Sequence, residues 1–262
     1  MTVNFKILGS GAGPGAPSFF CKCKGCMEAI QNPELARTRS GAIIQLANKN
    51  ILIDTPPDLR VQLLREKIDK IDCVFLTHWH YDHFGGIGEL EYYVKLLRHK
   101  KIPLFLPASA TRQFEDAFPD LGSVFDCSAW NFDQKYEFDS LSLTPLPANH
   151  GVETAGFLVE TEQCRLAYFP DTAGLSEHSK KKVAGVDWFI CDATFCGDNW
   201  FPAAHMSVDE AIALGKVVKA KNTVLTHMSV HYSKPMTNRE LKEELSQEQH
   251  VVLGHDGMKF TL

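Results

Sequence analysis

The sequence lacks a hydrophobic run long enough to cross a membrane, and it lacks an excess of positive charge. A membrane-spanning helix needs about 18 or more apolar residues in succession, and no such run occurs. Lysine and arginine together number 27, against 32 aspartates and glutamates, which gives a net charge of -5. This balance argues against a general nucleic-acid-binding protein, which needs a basic face, although it leaves room for a local basic patch.

The sequence also shows no recognisable secretion signal. The segment from Met1 to Leu8 is too short and too polar for a signal peptide and instead predicts a first β-strand. We therefore expect a cytoplasmic protein with eight cysteines. In a reducing cytoplasm, clustered cysteines bind metal more often than they form disulfides. Three of them lie in apolar, strand-like stretches and are expected to be inert core thiols: Cys73, Cys164 and Cys191.

Two common catalytic motifs are missing as well. The glycine-rich segment 9–15 follows a predicted strand, but Pro14 and Pro17 prevent a helix from starting there, and no Gly-Lys-Ser/Thr follows. A phosphate-binding loop is therefore not expected, and we predict a tight turn that brings backbone close to the functional site. No Ser-His-Asp nucleophile motif is present either, so covalent catalysis is not expected.

What the sequence does contain is a dense group of metal ligands directly after a predicted strand. The apolar run 74–76 leads into His78, His80, Asp82 and His83, which place three imidazoles and one carboxylate within six residues. Imidazole and carboxylate bind zinc, iron and manganese. Because neighbouring side chains diverge, His78 and His80 can share one ion and leave the other two residues for a second. A chance cluster is disfavoured because the chain has only 11 histidines.

This His-x-His-x-Asp-His pattern resembles the signature of the metallo-β-lactamase superfamily. The resemblance implies an α/β fold, a four-layer α/β/β/α sandwich of two mixed β-sheets, formed by residues 1–262 as a single domain. It also implies a dinuclear metal site at the sheet edges, completed by a lone His, an Asp and a further His at strand ends. His150, Asp171 and His227 occupy such positions. The implied ligand set is His78, His80 and His150 on one ion, and Asp82, His83 and His227 on the other, with Asp171 as the bridge.

A second cluster lies near the N-terminus, where Cys21, Cys23 and Cys26 fall within six residues. Three thiolates suit a tetrahedral zinc site that still lacks its fourth ligand, and free thiols on a loop are the alternative. The glycine-rich turn before this Cys-x-Cys-x-x-Cys loop, and the segment Pro-Asp-Thr-Ala-Gly at 170–174, resemble the PhnP-type phosphodiesterases that accompany carbon–phosphorus lyase pathways. In that family a His shortly after the last active-site His completes the zinc site, which implies His231. It follows His227 by four positions rather than the family's three.

Further residues are expected to support the metals or the chemistry. Asp54 and Asp192 each follow an apolar strand and are interpreted as residues that orient the ligands, with a simple turn aspartate as the alternative. Ser207 and Glu210 have capping-box spacing and predict a helix start just after His205. The resemblance implies that His205 is a general acid or base, and the alternative is a surface His near a helix cap.

Two more expectations concern the catalytic residues and the surroundings of the site. The catalytic candidates are His205 and Asp82. Arg37 and Arg39 form a compact basic segment, interpreted either as solvated surface or as contacts to a substrate phosphate, since arginine matches phosphate oxygens.

The local pattern predicts one helix from Ile87 to Lys101, with Leu90, Val94 and Leu97 on its apolar face. It also predicts a hairpin from segments 41–46 and 50–53, and a second hairpin from segments 156–160 and 165–169.

The resemblance implies a metal-dependent phosphodiesterase that hydrolyses small phosphodiesters, with cyclic ribose phosphodiesters as candidates, through a metal-bridging hydroxide, as in phosphonate catabolism. Its cofactors would be two divalent ions (Mn, Zn or Fe) and one structural zinc. Its partner would be a small anionic phosphodiester, and neither a membrane nor an extended nucleic acid is expected. The resemblance also implies a homodimer. Two alternatives remain: another hydrolase of this fold, acting on thioesters, lactones or tRNA 3' ends, and a non-hydrolytic metal-binding protein of cofactor biosynthesis.

Overall fold

The computed structural model describes residues 3–262. Met1 and Thr2, the first residues of the predicted first strand, lie outside the described residues. Within 3–262 the chain forms sixteen β-strands: β1 (Asn4–Gly9), β2 (Gly41–Gln45), β3 (Asn50–Ile53), β4 (Cys73–Phe75), β5 (Ile102–Leu106), β6 (Phe125–Ala129), β7 (Tyr136–Phe138), β8 (Leu141–Pro147), β9 (Ala155–Glu160), β10 (Arg165–Phe169), β11 (Trp188–Asp192), β12 (Phe195–Cys196), β13 (Asn222–Thr226), β14 (Ser229–Ser233), β15 (Val251–Leu253) and β16 (Lys259–Thr261).

Short α-helices connect the strands. Over the same described range they are α1 (Lys24–Gln31), α2 (Leu59–Arg65), α3 (Tyr81–Phe84), α4 (Leu90–Tyr93), α5 (Thr111–Ala117), α6 (Glu177–Val183), α7 (Val208–Val217) and α8 (Asn238–Glu244). The predicted capping box is confirmed at the start of α7, where the Ser207 side chain accepts from the Glu210 amide and the Glu210 carboxylate accepts from the Ser207 amide. Within residues 3–262 no helix combines the length and the apolar character needed to span a bilayer.

The strands form two seven-stranded sheets and one small two-stranded sheet. The first large sheet has the order β16-β1-β2-β3-β4-β5-β6, and the second has the order β15-β13-β11-β10-β9-β8-β7. Both sheets are mixed, since β3 to β6 run parallel while β1 to β3 run antiparallel, and β10, β11, β13 and β15 run parallel while β7 to β10 run antiparallel. The two predicted hairpins are confirmed as β2–β3 and β9–β10.

Three apolar layers show how the sheets and helices stack. Successive strand residues face opposite sides of a sheet. In β4, Phe75 lies in the cluster between the two sheets, whereas Val74 packs on the other face of its sheet against helical residues such as Leu59. In β11, Ile190 likewise joins the cluster between the sheets, and Phe189 joins the layer beneath α6 and α7. The predicted four-layer α/β/β/α sandwich is therefore confirmed.

The segment after the metal-ligand motif departs from the predicted single helix. It forms a 3₁₀ turn (Ile87–Glu89), then α4, then a π-helical turn (Val94–Arg98) that ends at His99 in the left-handed conformation. Arg98 Nη1 donates to the carbonyl of Ile71 at 2.9 Å, which ties the end of this segment to the chain just before β4. The π turn leaves Leu97 exposed rather than on the buried face that a regular helix would give it.

The sheet packing predicts that one added methyl group at Gly156 destabilises the protein. A Cβ at Gly156 would lie 2.1 Å from the ring of Phe169, which is fully buried. We expect Gly156→Ala to lower the free energy of unfolding by about 1–3 kcal/mol, as overpacked cores do, in urea denaturation. The matched control is Gly88→Ala, because a Cβ there meets nothing within 4 Å. Equal stability of the two variants would contradict this packing.

Candidate active site

The site forms where parallel strands of both large sheets end. His78 and Asp54 follow the carboxyl ends of β4 and β3, which are parallel neighbours in the first sheet. In the second sheet, His150, Asp171 and His227 follow β8, β10 and β13, which all run in one direction because β8 and β10 are each antiparallel to β9. Parallel strands present their carboxyl ends at one edge of a sheet, and ligands bind there.

The first group of ligand atoms comes from His78, His80, His150 and Asp171, whose nitrogen and oxygen atoms lie within 4.8 Å of one another. His80 Nδ1 lies 2.9 Å from His78 Nε2 and 3.1 Å from His150 Nε2. His78 Nε2 lies 3.4 Å from Asp171 Oδ2. The structure thus brings together the three histidines predicted to share one ion.

The second group comes from Asp82, His83, Asp171 and His227. Asp171 Oδ2 lies 3.1 Å from His83 Nε2 and 3.5 Å from His227 Nε2, and both nitrogens lie 3.6 Å from Asp82 Oδ2. Asp171 therefore belongs to both groups, as expected of a bridging carboxylate.

The histidine tautomers follow from partners outside the two groups. The Thr77 hydroxyl donates to Asp54, so it accepts from His78 Nδ1 at 2.9 Å. The Thr194 hydroxyl donates to the His227 carbonyl at 3.0 Å, so it accepts from Nδ1 of the same residue at 2.9 Å. Each ring therefore carries a proton on Nδ1 and turns Nε2 toward the site.

The two remaining histidines with Nε2 in the site are oriented in the same way. His83 Nδ1 donates to Asp54 Oδ2 at 2.8 Å, and His150 Nδ1 donates to the carbonyl of Ala204 at 2.8 Å. Such second partners fix the ring and raise its basicity in metal sites. Asp54 therefore lies beside a candidate metal ligand, as predicted, and its effect on metal binding stays a prediction.

These residues fit a metal site by two observations. Three buried atoms that face the site have no hydrogen-bond partner: His83 Nε2, His227 Nε2 and Asp171 Oδ1. The separations of 2.9 to 3.6 Å also match the edge of about 3.3 Å between ligand atoms that each lie about 2.0–2.1 Å from one tetrahedral ion. Ring nitrogens and carboxylate oxygens that converge in this way can offer their lone pairs to one cation.

Burial and neighbouring charges shift the pKa values of the ligand residues in different directions. Burial, together with neighbouring imidazoles, lowers the pKa of His78 well below its usual range. Burial acts in the same direction on the pKa of His83, but the carboxylates of Asp54 and Asp82 outweigh it and raise that pKa well above its usual range. Burial raises the pKa of Asp171, and the surrounding histidines, His227 foremost, more than reverse this and hold it well below its usual range.

His205 lies beside the shared carboxylate. Its Nδ1 lies 2.9 Å from Asp171 Oδ1 and 2.9 Å from Asp192 Oδ2, and its ring stacks on His227 with centroids 5.3 Å apart. Burial lowers its pKa, but the two carboxylates outweigh burial and raise the pKa to about 10. The side chain is 17% exposed. Because both carboxylates lie against Nδ1, Nε2 is the nitrogen left for a substrate oxygen.

Asp192 organises the loop around His205. Its carboxylate accepts from the amides of Thr172, Thr194 and Met206 as well as from His205. It thereby connects the chain next to Asp171 to the loop before α7. This placement agrees with the orienting role predicted for Asp192, which stays a prediction.

The cysteine cluster is assembled, and His231 reaches it from β14. The sulfur atoms of Cys21, Cys23 and Cys26 lie within 4.8 Å of one another. Cys26 Sγ lies 3.5 Å from His231 Nδ1, and His231 Nε2 is buried without a hydrogen-bond partner. Burial raises the pKa of Cys26 to about 12, whereas the Cys23 amide, the largest influence on Cys21, helps to lower the pKa of that thiol. A zinc ligand set of these four residues stays a prediction.

The phosphate contact predicted for Arg37 is corrected by the structure. Its side chain is 2% exposed, and its guanidinium donates to Ser10 Oγ, to the Gly254 carbonyl at 2.6 Å and to Asn238 Oδ1. Arg37 therefore binds three segments of the chain together through its two terminal nitrogens, and it is neither solvated surface nor free to contact a substrate.

Arg39 is partly exposed and holds the glycine-rich loop. It donates from Nε to the Gly13 carbonyl at 3.0 Å and pairs with Asp58 at 3.1 Å. A Cβ at Gly13 would lie 3.2 Å from Asp82 Oδ2. The predicted turn therefore does carry backbone to the site, and a phosphate contact from Arg39 stays a prediction.

Sequence reasoning missed residues that act through hydrogen bonds. Thr77 and Thr194 follow strands but carry no spacing signal. Asp256 had no assigned role, and it accepts from the amides and hydroxyls of Ser10 and Thr38, which fixes the base of the glycine-rich loop. A strand followed by threonine next to a ligand is the one sequence signal that would have found Thr77.

Comparison with known proteins agrees with this geometry. The family model described as "Beta-lactamase superfamily domain" matches residues 49–228, which is more than half of the chain. The chain therefore belongs to the metallo-β-lactamase-fold hydrolase superfamily, and the prediction made from the His-x-His-x-Asp-His motif is confirmed.

Two solved structures resemble this chain over all or nearly all of its length. The crystal structure of a diphosphatase from the PhnP family is 27% identical, covers 100% of this chain and 98% of that one, and superimposes with a TM-score of 0.88. Zn²⁺-bound PqqB from Methylobacterium extorquens superimposes with a TM-score of 0.84 at 20% identity, over 99% of this chain and 100% of that one, and shows the fold alone.

Relatives with known names are also similar in sequence, and two of them match nearly the whole of this chain. Coenzyme PQQ synthesis protein B from Methylobacterium nodulans is 26% identical over 98% of this chain and 99% of its own length. An octanoyltransferase from Porphyromonas gingivalis is 26% identical over 97% of this chain, and the chain spans only half the length of that protein.

The partner of His83 generates a prediction about metal affinity. In Asp54→Asn an amide replaces the carboxylate that accepts from His83 Nδ1, so the ring loses orientation and basicity. We expect the affinity for the second ion to fall by about 10- to 100-fold. Titrating metal-free protein with Zn²⁺ or Mn²⁺ in a calorimeter measures this. Asp133→Asn is the control, because Asp133 pairs only with exposed side chains, His178 and Lys182. Unchanged metal binding by Asp54→Asn would contradict this role.

Proposed function

We propose that the protein is a dinuclear metal-dependent phosphodiesterase that acts on small anionic phosphodiesters. The observation that carries the proposal is that the carboxylate shared by both ligand groups, Asp171, lies 2.9 Å from a partly exposed imidazole, His205, which a second carboxylate also holds. The site would thus combine an anion-binding centre with a proton donor.

The ligand residues suit an anionic substrate. Two divalent ions would be held by His78, His80 and His150 on one side and by Asp82, His83 and His227 on the other, with Asp171 between them. When bound, such ions supply Lewis acidity, activate water near neutral pH and align the attacking and leaving oxygens. Asp82 and Asp171 contribute two negative charges against four positive ones, so an excess of positive charge remains to attract a phosphodiester.

His205 would deliver a proton to the departing alkoxide oxygen. Asp192 accepts from Nδ1 and fixes the ring, and the nearby carboxylate of Asp171 also favours the protonated ring, which leaves the proton on Nε2 for the leaving group. General acid catalysis of this kind typically contributes about 100- to 10,000-fold. Asp192 would act by holding the ring in this orientation.

Two further parts of the proposal concern the substrate and the cysteine cluster. The similarity to a PhnP-family diphosphatase over nearly the whole chain supports a phosphate ester or anhydride, and a cyclic ribose phosphodiester of phosphonate catabolism is the substrate we propose. A zinc ion held by Cys21, Cys23, Cys26 and His231 would join the N-terminal loop to β14.

A second candidate is a non-hydrolytic metal protein of cofactor biosynthesis. The sequence similarity to coenzyme PQQ synthesis protein B, at 26% identity over nearly the full length of both chains, favours it. A binding protein has no need of a proton donor beside the metal ligands. His205 therefore distinguishes the two candidates.

The role of His205 predicts a loss of turnover that depends on the leaving group. A p-nitrophenolate leaves with little protonation, whereas a phenolate needs more. We expect His205→Ala to retain its metals and to lose about 100- to 10,000-fold in kcat with diphenyl phosphate, and much less with bis(p-nitrophenyl) phosphate. Steady-state kinetics together with metal analysis of each variant measures this.

The matched control is His178→Ala, which removes an exposed histidine paired with Asp133. It should leave turnover of both esters unchanged. Equal losses of His205→Ala on the two esters would contradict proton donation by His205, and absence of turnover in the wild-type protein with its metals bound would favour the non-hydrolytic candidate.

A further inference from the structure

The exposed aromatic ring of Phe201 lies next to His205, and the exposed ring of Trp200 lies against Phe201. Trp200 is 62% exposed and Phe201 is 48% exposed. The Phe201 ring centroid lies 5.9 Å from that of His205 and 6.3 Å from that of Trp200, and the two aromatic planes are nearly parallel, with an angle of 17° between them. Large apolar groups that remain in water beside a reaction centre commonly mark a ligand contact.

The rings rest on a packed base. Trp200 makes edge contacts with Phe195, at 4.9 Å between centroids, and with Tyr232, at 5.4 Å. Phe195 is 1% exposed and itself lies 6.3 Å from His205. Trp200 is therefore supported from below by buried or partly buried rings while much of its surface faces solvent.

Hydrogen bonds connect the loop of these rings to His205. Asn199 Nδ2 donates to the His205 carbonyl at 2.8 Å and to Glu210 Oε2 at 2.8 Å, and Asn199 Oδ1 accepts from the Phe201 amide at 3.0 Å. The Phe201 carbonyl accepts from the His205 amide at 3.2 Å. Glu210 belongs to the capping box of α7, so the aromatic pair and the catalytic imidazole are held to the same helix start.

We propose that Trp200 and Phe201 form a stacking platform that binds a planar ring carried by the leaving group of the substrate. This inference rests on the proposed function, because His205 defines the leaving-group side of the scissile bond. A ring attached to the departing oxygen would lie against the surface next to His205, and the platform is that surface. The substrate class is then a small phosphodiester whose departing alcohol carries a nucleobase or another aromatic ring, and a cyclic ribose phosphodiester belongs to this class when its ribose bears a nucleobase.

The test compares the binding of three phosphate monoesters to metal-loaded protein by calorimetry. Adenosine monophosphate and phenyl phosphate carry rings, and ribose 5-phosphate carries none. Loss of stacking on one aromatic side chain should weaken binding of the ring-bearing compounds to Trp200→Ala by about 5- to 150-fold, with ribose 5-phosphate unchanged. Trp200→Phe should retain most of the affinity, because it keeps an aromatic face.

The control variant is Tyr92→Ala, which removes another exposed aromatic ring, in α4. It should bind all three compounds as the wild-type protein does. A loss confined to adenosine monophosphate would identify the ring as a nucleobase, and a loss confined to phenyl phosphate would identify it as a simple aryl group. Either outcome supports the platform.

Wild-type affinity of Trp200→Ala for both ring-bearing compounds, or an equal loss for ribose 5-phosphate, would overturn the platform. Such a result would leave the phosphodiesterase proposal intact if the wild-type protein hydrolyses bis(p-nitrophenyl) phosphate. A wild-type protein that neither hydrolyses phosphodiesters nor binds any of the three compounds would overturn both proposals.

Discussion

The arrangement of the site depends on one buried carboxylate. Asp171 is 2% exposed and lies within 3.6 Å of nitrogen atoms from five histidines, four of which belong to the ligand groups while the fifth, His205, is the candidate proton donor. A buried anion is costly unless positive charges or hydrogen-bond donors compensate it. The same atoms that would be unfavourable alone therefore become a binding site for divalent ions.

The fold meets this requirement by aligning strand ends. Parallel strands from both large sheets deliver their following residues to one edge, and the layer between the sheets keeps those edges together. Threonine hydroxyls, a carbonyl and Asp54 then set the histidine tautomers, so that the ligand nitrogens are prepared before any ion arrives. The loop from Asn199 to His205 adds the proposed proton donor and the aromatic platform to this prepared edge.

The sequence predicted those parts that consist of local patterns. Strands ending in His78, His150, Asp171 and His227 could be recognised because apolar runs and polar ligands are adjacent in the chain. Arg37 could not be assigned correctly, since its burial depends on segments more than 200 residues away. Single-sequence periodicity also missed the π turn after α4, because the contact that ends it, from Arg98 to the chain before β4, is not local.

The most direct test of the account is the metal content of the purified protein, measured by mass spectrometry under metal-replete conditions without chelators. The account predicts about three ions per chain in the wild-type protein, two at the shared site and one zinc at the cysteine cluster. Asp171→Asn should lose ions from the shared site and retain the zinc. One ion or none in the wild-type protein, or an unchanged content in Asp171→Asn, would contradict the claim that this carboxylate joins two metal ions.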